Sequence, residues 1–143
     1  MLRSLTLDDM PAIRTINDRS LGYPVMLELT QKQFETISQS SKHLIIGFED
    51  HSSHHIVGYI HAEVYESLYA KAGLNVLALA VLPEYQGQGI GKSLLLALEN
   101  RATEEGFAFI RLNSGSHRTD AHAFYRKMNY NGEKTQVRFI KEL

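Results

Sequence analysis

The sequence predicts an α/β (α+β) domain whose central sheet is mixed: mostly antiparallel, with one parallel strand pair. Three observations predict it. Hairpin-like strands come first along the chain, and a single strand–helix–strand crossover follows. Between them lie three glycines in five positions, Gly87, Gly89 and Gly91, at the turn into the crossover helix. Strands joined by short polar turns pair antiparallel, whereas a helical crossover sets its two strands parallel.

Taken in order, Leu2 to Leu7 alternates apolar and polar residues, as a short first strand does. Either Thr6 or Asp8 can cap the helix that follows, and Pro11 sits more easily in its first turn if Asp8 is the cap. Ile13 and Ile16 form the apolar edge of that helix, and Gly22 with Pro24 break it. A second helix is expected from Thr30 to about Ser40, with Phe34 and Ile37 inward. His43 to Phe48 and Ile56 to Tyr65 read as a hairpin joined by the polar segment Glu49 to His55. Asn75 to Val81 is almost continuously apolar, the pattern of a strand buried on both faces. Ile90, Leu94 and Leu98, widened by Leu95 and Ala102, mark a helix that Gly106 ends. Phe107 to Asn113 is the next strand, and Ser114 to Thr119 a polar loop. Asp120 is placed to cap a helix carrying Phe124, Tyr125 and Met128. Gln136 to Ile140 is expected to close the sheet.

Bulk properties narrow the function classes. A chain of 143 residues is expected to form one domain, residues 1–143, with a core that needs no staples. Hydrophobic and charged shares of 43% and 22% are ordinary for a globular protein. The formal net charge of −1 speaks against nucleic acid as a partner, so any anion site must be local. The absence of cysteine excludes disulfides, thiolate metal sites and a cysteine nucleophile. His51, His54 and His55 cluster in a polar turn without carboxylate or thiolate support, so no metal is expected. The first residues turn acidic too early for a secretory signal, and no apolar run nears the roughly 20 residues of a membrane helix. A cytoplasmic protein without a membrane partner is the expectation.

The glycine turn carries the chemistry. Placed where a helix begins, it aims unpaired N–H groups and the positive end of the helix dipole at one spot, which suits phosphate. Gly91-Lys92-Ser93 looks like the tail of a nucleotide-binding P-loop, but that pattern needs glycine at position 86, where Gln86 stands. A dinucleotide fingerprint fails as well, because the glycines are spaced by two throughout and repeated crossovers are missing.

A third reading fits. Gln86-Gly87-Gln88-Gly89-Ile90-Gly91 resembles the Q/R-x-x-G-x-G/A loop of the GNAT superfamily of N-acetyltransferases. Leu79-Ala80-Val81-Leu82-Pro83-Glu84-Tyr85 is similar to the strand and turn that precede that loop. The run from Arg118 to Tyr130 resembles the family's late helix with its aromatic ending, and Arg138 to Leu143 a common closing strand. These motifs cover most of residues 75–143; the first 74 residues agree only in coarse pattern.

The resemblance implies a splayed parallel strand pair, helices on both sheet faces, and acetyl-CoA as cosubstrate. By the same resemblance, Gly87, Gln88, Gly89, Ile90, Gly91 and Lys92 would wrap the coenzyme pyrophosphate with their N–H groups. Gln86 would shape the loop, and Lys92 and Ser93 could touch phosphate. Leu79, Ala80 and Val81 would pair with the pantetheine arm and polarise the acetyl carbonyl. Tyr125 matches the tyrosine that protonates the departing thiolate. Asn113 is placed to reach the pantetheine or acetyl group. Arg118 stands where many members have asparagine; it could grip a coenzyme phosphate or simply face solvent.

Members with a glutamate base carry it near the position of Asn75, which cannot accept a proton. His61 and Glu63 share a strand face, so one of them, directly or through water, is the candidate base. The acceptor would be a primary amine on a small molecule or peptide, met by the segment from about Tyr23 to Phe34. A homodimer stays open. The rival reading is a non-catalytic acyl-CoA-binding or sensing domain, which would keep the glycine loop without turnover.

Overall fold

Alternating side chains along five strands build one sheet, ordered β1-β2-β3-β4-β5 as in the chain. The strands are β1 (Leu2–Arg3), β2 (His43–Glu49), β3 (Ile56–Tyr65), β4 (Gly73–Val81) and β5 (Ile110–Leu112). Neighbours are antiparallel except β4 and β5, which are parallel, as the crossover predicts. The computed structural model describes residues 1–143. It resolves into two compact units, Met1–Leu112 and Asn113–Leu143.

In the first unit, α1 (Met10–Ile16), α2 (Leu27–Ser38) and α3 (Ile90–Glu104) cover the sheet. Met10, Ile13 and Ile16 of α1 pack with Ile56, Tyr59 and Ala80, and Phe34 of α2 joins that cluster. Helix α3 lies on the other face: a side chain added at Gly58, the neighbour of Tyr59, would sit 3.3 Å from Ile90. Leu94, Leu95 and Leu98 of α3 are completely buried, as are Ile60 and Leu74. Each such side chain contributes roughly 1.5–3 kcal/mol by leaving water. Helices on both faces and a mixed sheet are therefore the observed architecture.

Local chemistry decides the boundaries. The first helix opens as a 3-10 turn, Leu7–Asp9, after Thr6, whose N–H donates to Asp9 Oδ2 at 2.8 Å. Thr6, rather than Asp8, is the cap. Arg3 then ties the sheet edge to this turn, donating to both Asp9 oxygens at 2.8 and 2.9 Å and to Glu49 at 2.6 Å. That contact holds the Asp9 carboxyl below its ordinary value. Helix α1 continues into a π turn, Asn17–Leu21, closed by Gly22 at φ 74°. Helix α2 starts a turn earlier than the periodicity predicts, because Leu27 also reaches the α1 cluster.

Strand β4 carries the irregularity that matters. His61 pairs with Ala78 and the next residue, Ala62, with Val76, so Leu77 is an extra residue with no opposite number. The β4–β5 ladder runs over Leu74↔Ile110, Asn75↔Arg111 and Val76↔Leu112, and stops there. The strand expected over residues 107–113 is thus only three residues long.

The second unit holds α4 (Thr119–Lys127), which begins after Arg118 rather than at an Asp120 cap. Its end is turned by Asn129 at φ 69°, with Tyr130 N–H donating to Tyr125 C=O at 2.9 Å. The closing strand expected over Gln136 to Ile140 does not form: no helix or strand follows α4. Alternation favours a strand only where an edge offers it a ladder, and here Val137, Phe139 and Ile140 stand 76%, 90% and 69% exposed.

Gly73 tests the packing beside the parallel pair. A β-carbon there would lie 2.4–2.6 Å from three ring carbons of Phe109. Gly73→Ala is expected to lower unfolding stability by about 1–3 kcal/mol, measured by urea denaturation, because an aromatic ring cannot yield that distance without a backbone shift.

Candidate active site

Beyond Val76 strand β4 continues to Val81 without β5 beside it. A strand edge without a ladder presents backbone N–H and C=O groups that need other partners. The far end of this stretch is held from two sides. Val81 C=O accepts from Ser20 Oγ of the π turn at 2.8 Å and from Gln86 Nε2 at 3.0 Å. That carbonyl is taken, so the open edge lies upstream of it. Gln86 thus ties the turn back to the end of β4, and Ser20 is an anchor that no sequence pattern flags.

The chain then makes a 3-10 turn, Pro83–Tyr85, and reaches the glycines. Glu84 is paired with Arg19 of the π turn, whose guanidinium draws the carboxyl below its ordinary value. Gly87 and Gly89 have φ of 79° and 82°, the left-handed region where a side chain is strained. A β-carbon on either would meet nothing within 4 Å, so these glycines serve backbone conformation and border open space. Gly91 has no such angle and lies inside α3. The first bond of α3 runs from Ser93 N–H to Gly89 C=O at 3.0 Å. The N–H groups of Ile90, Gly91 and Lys92 therefore stand outside the helical ladder at its positive end. Ile90 is itself buried and anchors the loop, while Gly87, Gln88, Gly89 and Lys92 are exposed.

A second feature crosses the sheet. His43, Glu63, Asn75 and Arg111 stand opposite one another on β2, β3, β4 and β5. They form a polar row on the face that carries Tyr59, further along the strands. Arg111 donates to Asn75 Oδ1 at 2.7 Å, and Asn75 Nδ2 donates to Glu63 Oε2 at 2.9 Å. The Arg111 guanidinium lies 4.7 Å from the Tyr65 ring centre. His61 is next to the row, its Nε2 2.9 Å from His43 Nδ1. Burial, then the neighbouring His43, pushes the His61 ring down to about 4, against the pull of Glu63. The two candidate bases thus share one half-buried face. Asn75, unable to act as a base, orients Glu63 instead. Strand periodicity alone finds His61 and Glu63; His43, Asn75 and Arg111 join them only through the register, which no single strand encodes.

In the second unit, Tyr125 lies against Phe124 and Tyr130, with ring centres 5.2 and 6.0 Å away. Burial pushes its phenol above the ordinary value of 10, and the Arg118 charge opposes this. It is protonated at neutral pH. Asn113 and Arg118 are both exposed, the first just past β5 and the second at the start of α4. No three His, Asp or Glu side chains cluster as metal ligands, and no helix is long and apolar enough to cross a membrane.

Comparison with known proteins places this geometry. An aminoalkylphosphonate N-acetyltransferase from Salmonella typhimurium is 38% identical over 69 residues, 48% of this chain and 44% of that protein. The match thus spans less than half of the relative's length. The solved aminoglycoside antibiotic 6'-N-acetyltransferase of Acinetobacter baumannii superposes with a TM-score of 0.84 at 14% identity, covering 100% of this chain and 98% of that one. Glucosamine-6-phosphate N-acetyltransferase from Arabidopsis thaliana gives 0.80 at 18% identity, covering 99% and 98%. At such identities these structures speak for the fold. The model of the Acetyltransferase (GNAT) family matches residues 10–130, and with the split strand and glycine turn in place, the chain belongs to that family.

Proposed function

We propose that the chain is an acetyl-CoA-dependent N-acetyltransferase that moves the acetyl group directly to a primary amine, its two units working as one domain. One observation carries this reading: β4 leaves β5 at Val76, runs on as an open edge, and ends in the glycine turn. An open edge leading to an anion-binding turn suits a ligand with an extended amide-bearing arm and a diphosphate.

The residues present fit that coenzyme. The N–H groups from Gly87 to Lys92 have no helical partner, and the space beside Gly87 and Gly89 is clear. Bound there, acetyl-CoA supplies the acetyl group as an activated thioester. The chain does the rest. Backbone groups of β4 upstream of Val81 hold the arm as an added strand would, and an N–H among them polarises the acetyl carbonyl. Lys92 and Ser93 lie at the phosphate end, and Arg118 and Asn113 are the further coenzyme contacts. His61 or Glu63 takes the proton of the ammonium, which frees the nitrogen lone pair to attack. Tyr125, kept protonated by burial, gives its phenolic proton to the departing sulfur and is reprotonated by the second proton that the nitrogen sheds on becoming an amide. Without cysteine, the chain has no thiol to carry the acetyl group.

The acceptor is a small molecule with a primary amine, the feature shared by the acceptors that the relatives are named for. Arg14, Asp18, Pro24, Val25 and Met26 line a depression of about 390 Å³ between α1 and α2, the last three within the segment expected to meet the acceptor. Asp18 there suits an ammonium and Arg14 an anionic group.

Three outcomes are expected. Acetyl-CoA at a hundredfold excess over its Kd will stabilise the native state by about 2.7 kcal/mol, visible as a rise in Tm; no rise removes the proposal. Gly89→Ala will weaken that binding about tenfold by calorimetry, because roughly 1–2 kcal/mol of left-handed strain is relieved only by moving the loop. Tyr125→Phe will lower kcat by about 10²-fold or more while the coenzyme still binds. A Phe variant with unchanged turnover would mean that the sulfur is protonated by another group.

A further inference from the structure

The polar row explains Glu63, Asn75 and Arg111, but leaves the second histidine without a task. His43 is held against His61 by a ring-to-ring hydrogen bond of 2.9 Å, Nδ1 to Nε2. The ring centres are 5.1 Å apart and the planes tilted by 41°. The two rings sit diagonally, since His43 faces Glu63 in the β2–β3 register while His61 faces Ile45. His43 also lines a cleft of about 150 Å³ in which Ser4, Ser38 and Ser40 stand among apolar neighbours such as Phe34 and Ile45. One imidazole therefore lies beside Glu63 and the other borders an opening at the end of α2 that carries three serines.

We propose that His61 and His43 form a two-ring proton relay, carrying the amine's proton from the polar row to the cleft beside α2. This rests on the acetyltransferase reading above, with His61 rather than Glu63 as the base. The starting tautomers are fixed by the direction of flow. His61 carries its proton on Nε2 and donates to the Nδ1 lone pair of His43, whose own proton is on Nε2. The acceptor ammonium gives a proton to His61 Nδ1 as the Nε2 proton passes to His43 Nδ1. His43 is then an imidazolium, and it releases its Nε2 proton to water in the cleft. His61 and His43 are then each protonated on Nδ1. Once the product has left, His61 gives its Nδ1 proton to solvent, the Nδ1 proton of His43 returns to His61 Nε2, and His43 Nε2 takes up a proton from water in the cleft, which restores the first tautomers. No net oxidation occurs, and one proton leaves for each amine acetylated.

A relay suits a buried ring better than a simple base does. Burial disfavours the cationic form of His61, so a proton kept there would be costly; handing it on within the same event avoids that state. The titratable neighbours acting on His61 are His43 on β2 and Glu63 on its own strand, and Arg111 on β5 reaches Glu63 through Asn75.

The tautomers test the direction without any acceptor. Imidazole 15N spectra of the wild-type chain at neutral pH should show His61 protonated on Nε2 and His43 accepting at Nδ1. The opposite polarity would drive protons inward and overturns the relay. Kinetics test the role, with acetyl-CoA and a panel of an aminoalkylphosphonate, glucosamine-6-phosphate and an aminoglycoside. His43→Asn retains a carbonyl acceptor for His61 but cannot take up a proton. It should lower kcat roughly 10²-fold, the lower end of what general-base catalysis contributes, with acceptor KM and the acetyl-CoA thermal shift unchanged. His43→Ala should regain part of its rate when imidazole is added. If His43→Asn keeps full turnover, His43 merely orients its neighbour and the relay is wrong. If His61→Asn also keeps full turnover, the base is Glu63, and the acetyltransferase reading survives without the relay. If no variant or wild-type chain binds acetyl-CoA, the underlying reading fails instead.

Discussion

One extra residue governs the site. Leu77 has no partner across β3, and the parallel ladder with β5 ends one residue before it. A bulge bends its strand and adds local twist, so two strands that share a plane up to Val76 no longer do so beyond it. Parting a strand from its neighbour is costly unless the released backbone groups find partners. Here the structure supplies some of them itself. Ser20 and Gln86 converge on Val81 C=O, and Arg19 clasps Glu84 in the turn that follows. The stretch between Leu77 and those clamps is the part without a β5 ladder. Its position follows from the bulge, and the glycine turn is rigidly placed relative to it by the buried Ile90.

Most of the architecture is legible because local signals agree with the tertiary outcome. The spacing of Ile90, Leu94 and Leu98 gives α3 its buried face, and the run from Ile56 to Tyr65 after a polar turn gives β3. The glycines are legible for the same reason: two of the three adopt angles that other residues resist. Signals failed where a second element had to agree. Gln136 to Ile140 alternates as a strand should, yet forms none, because alternation describes a side-chain pattern and not the edge that must receive it. The bulge is equally silent. Leu77 looks like any other residue in an apolar run, and only the pairing of His61 with Ala78 and Ala62 with Val76 reveals it.

The polar row shows the same limit in the site. His61 and Glu63 are two apart on one strand, so period-two reasoning puts them on one face. Asn75 and Arg111 fall beside Glu63 because the bulge shifts β4 by one place, a fact distributed over three strands. Without that shift, Val76 and not Asn75 would be next in step along the row. The residue that opens the sheet thus also sets which side chain reaches Glu63.

That coupling bears on how the face can be both packed and reactive. Near α1 it is apolar, with Tyr59 and Ala80 buried and the Tyr59 hydroxyl bonded to Asn17. Further along it turns polar, yet no buried side-chain nitrogen or oxygen lacks a partner. Arg111, Asn75 and Glu63 satisfy one another in sequence, and each link constrains the next. Asn75 must present its amide nitrogen to the carboxylate because its oxygen is taken by the guanidinium. A carboxylate oriented this way has little freedom left to lose, so any partner it takes up costs less in ordering the side chain. The imidazole pair is fixed in the same manner, by one short bond between two rings. Chemistry at this face therefore depends on strand register first and on residue type second, which is why its two halves are read so differently from the chain.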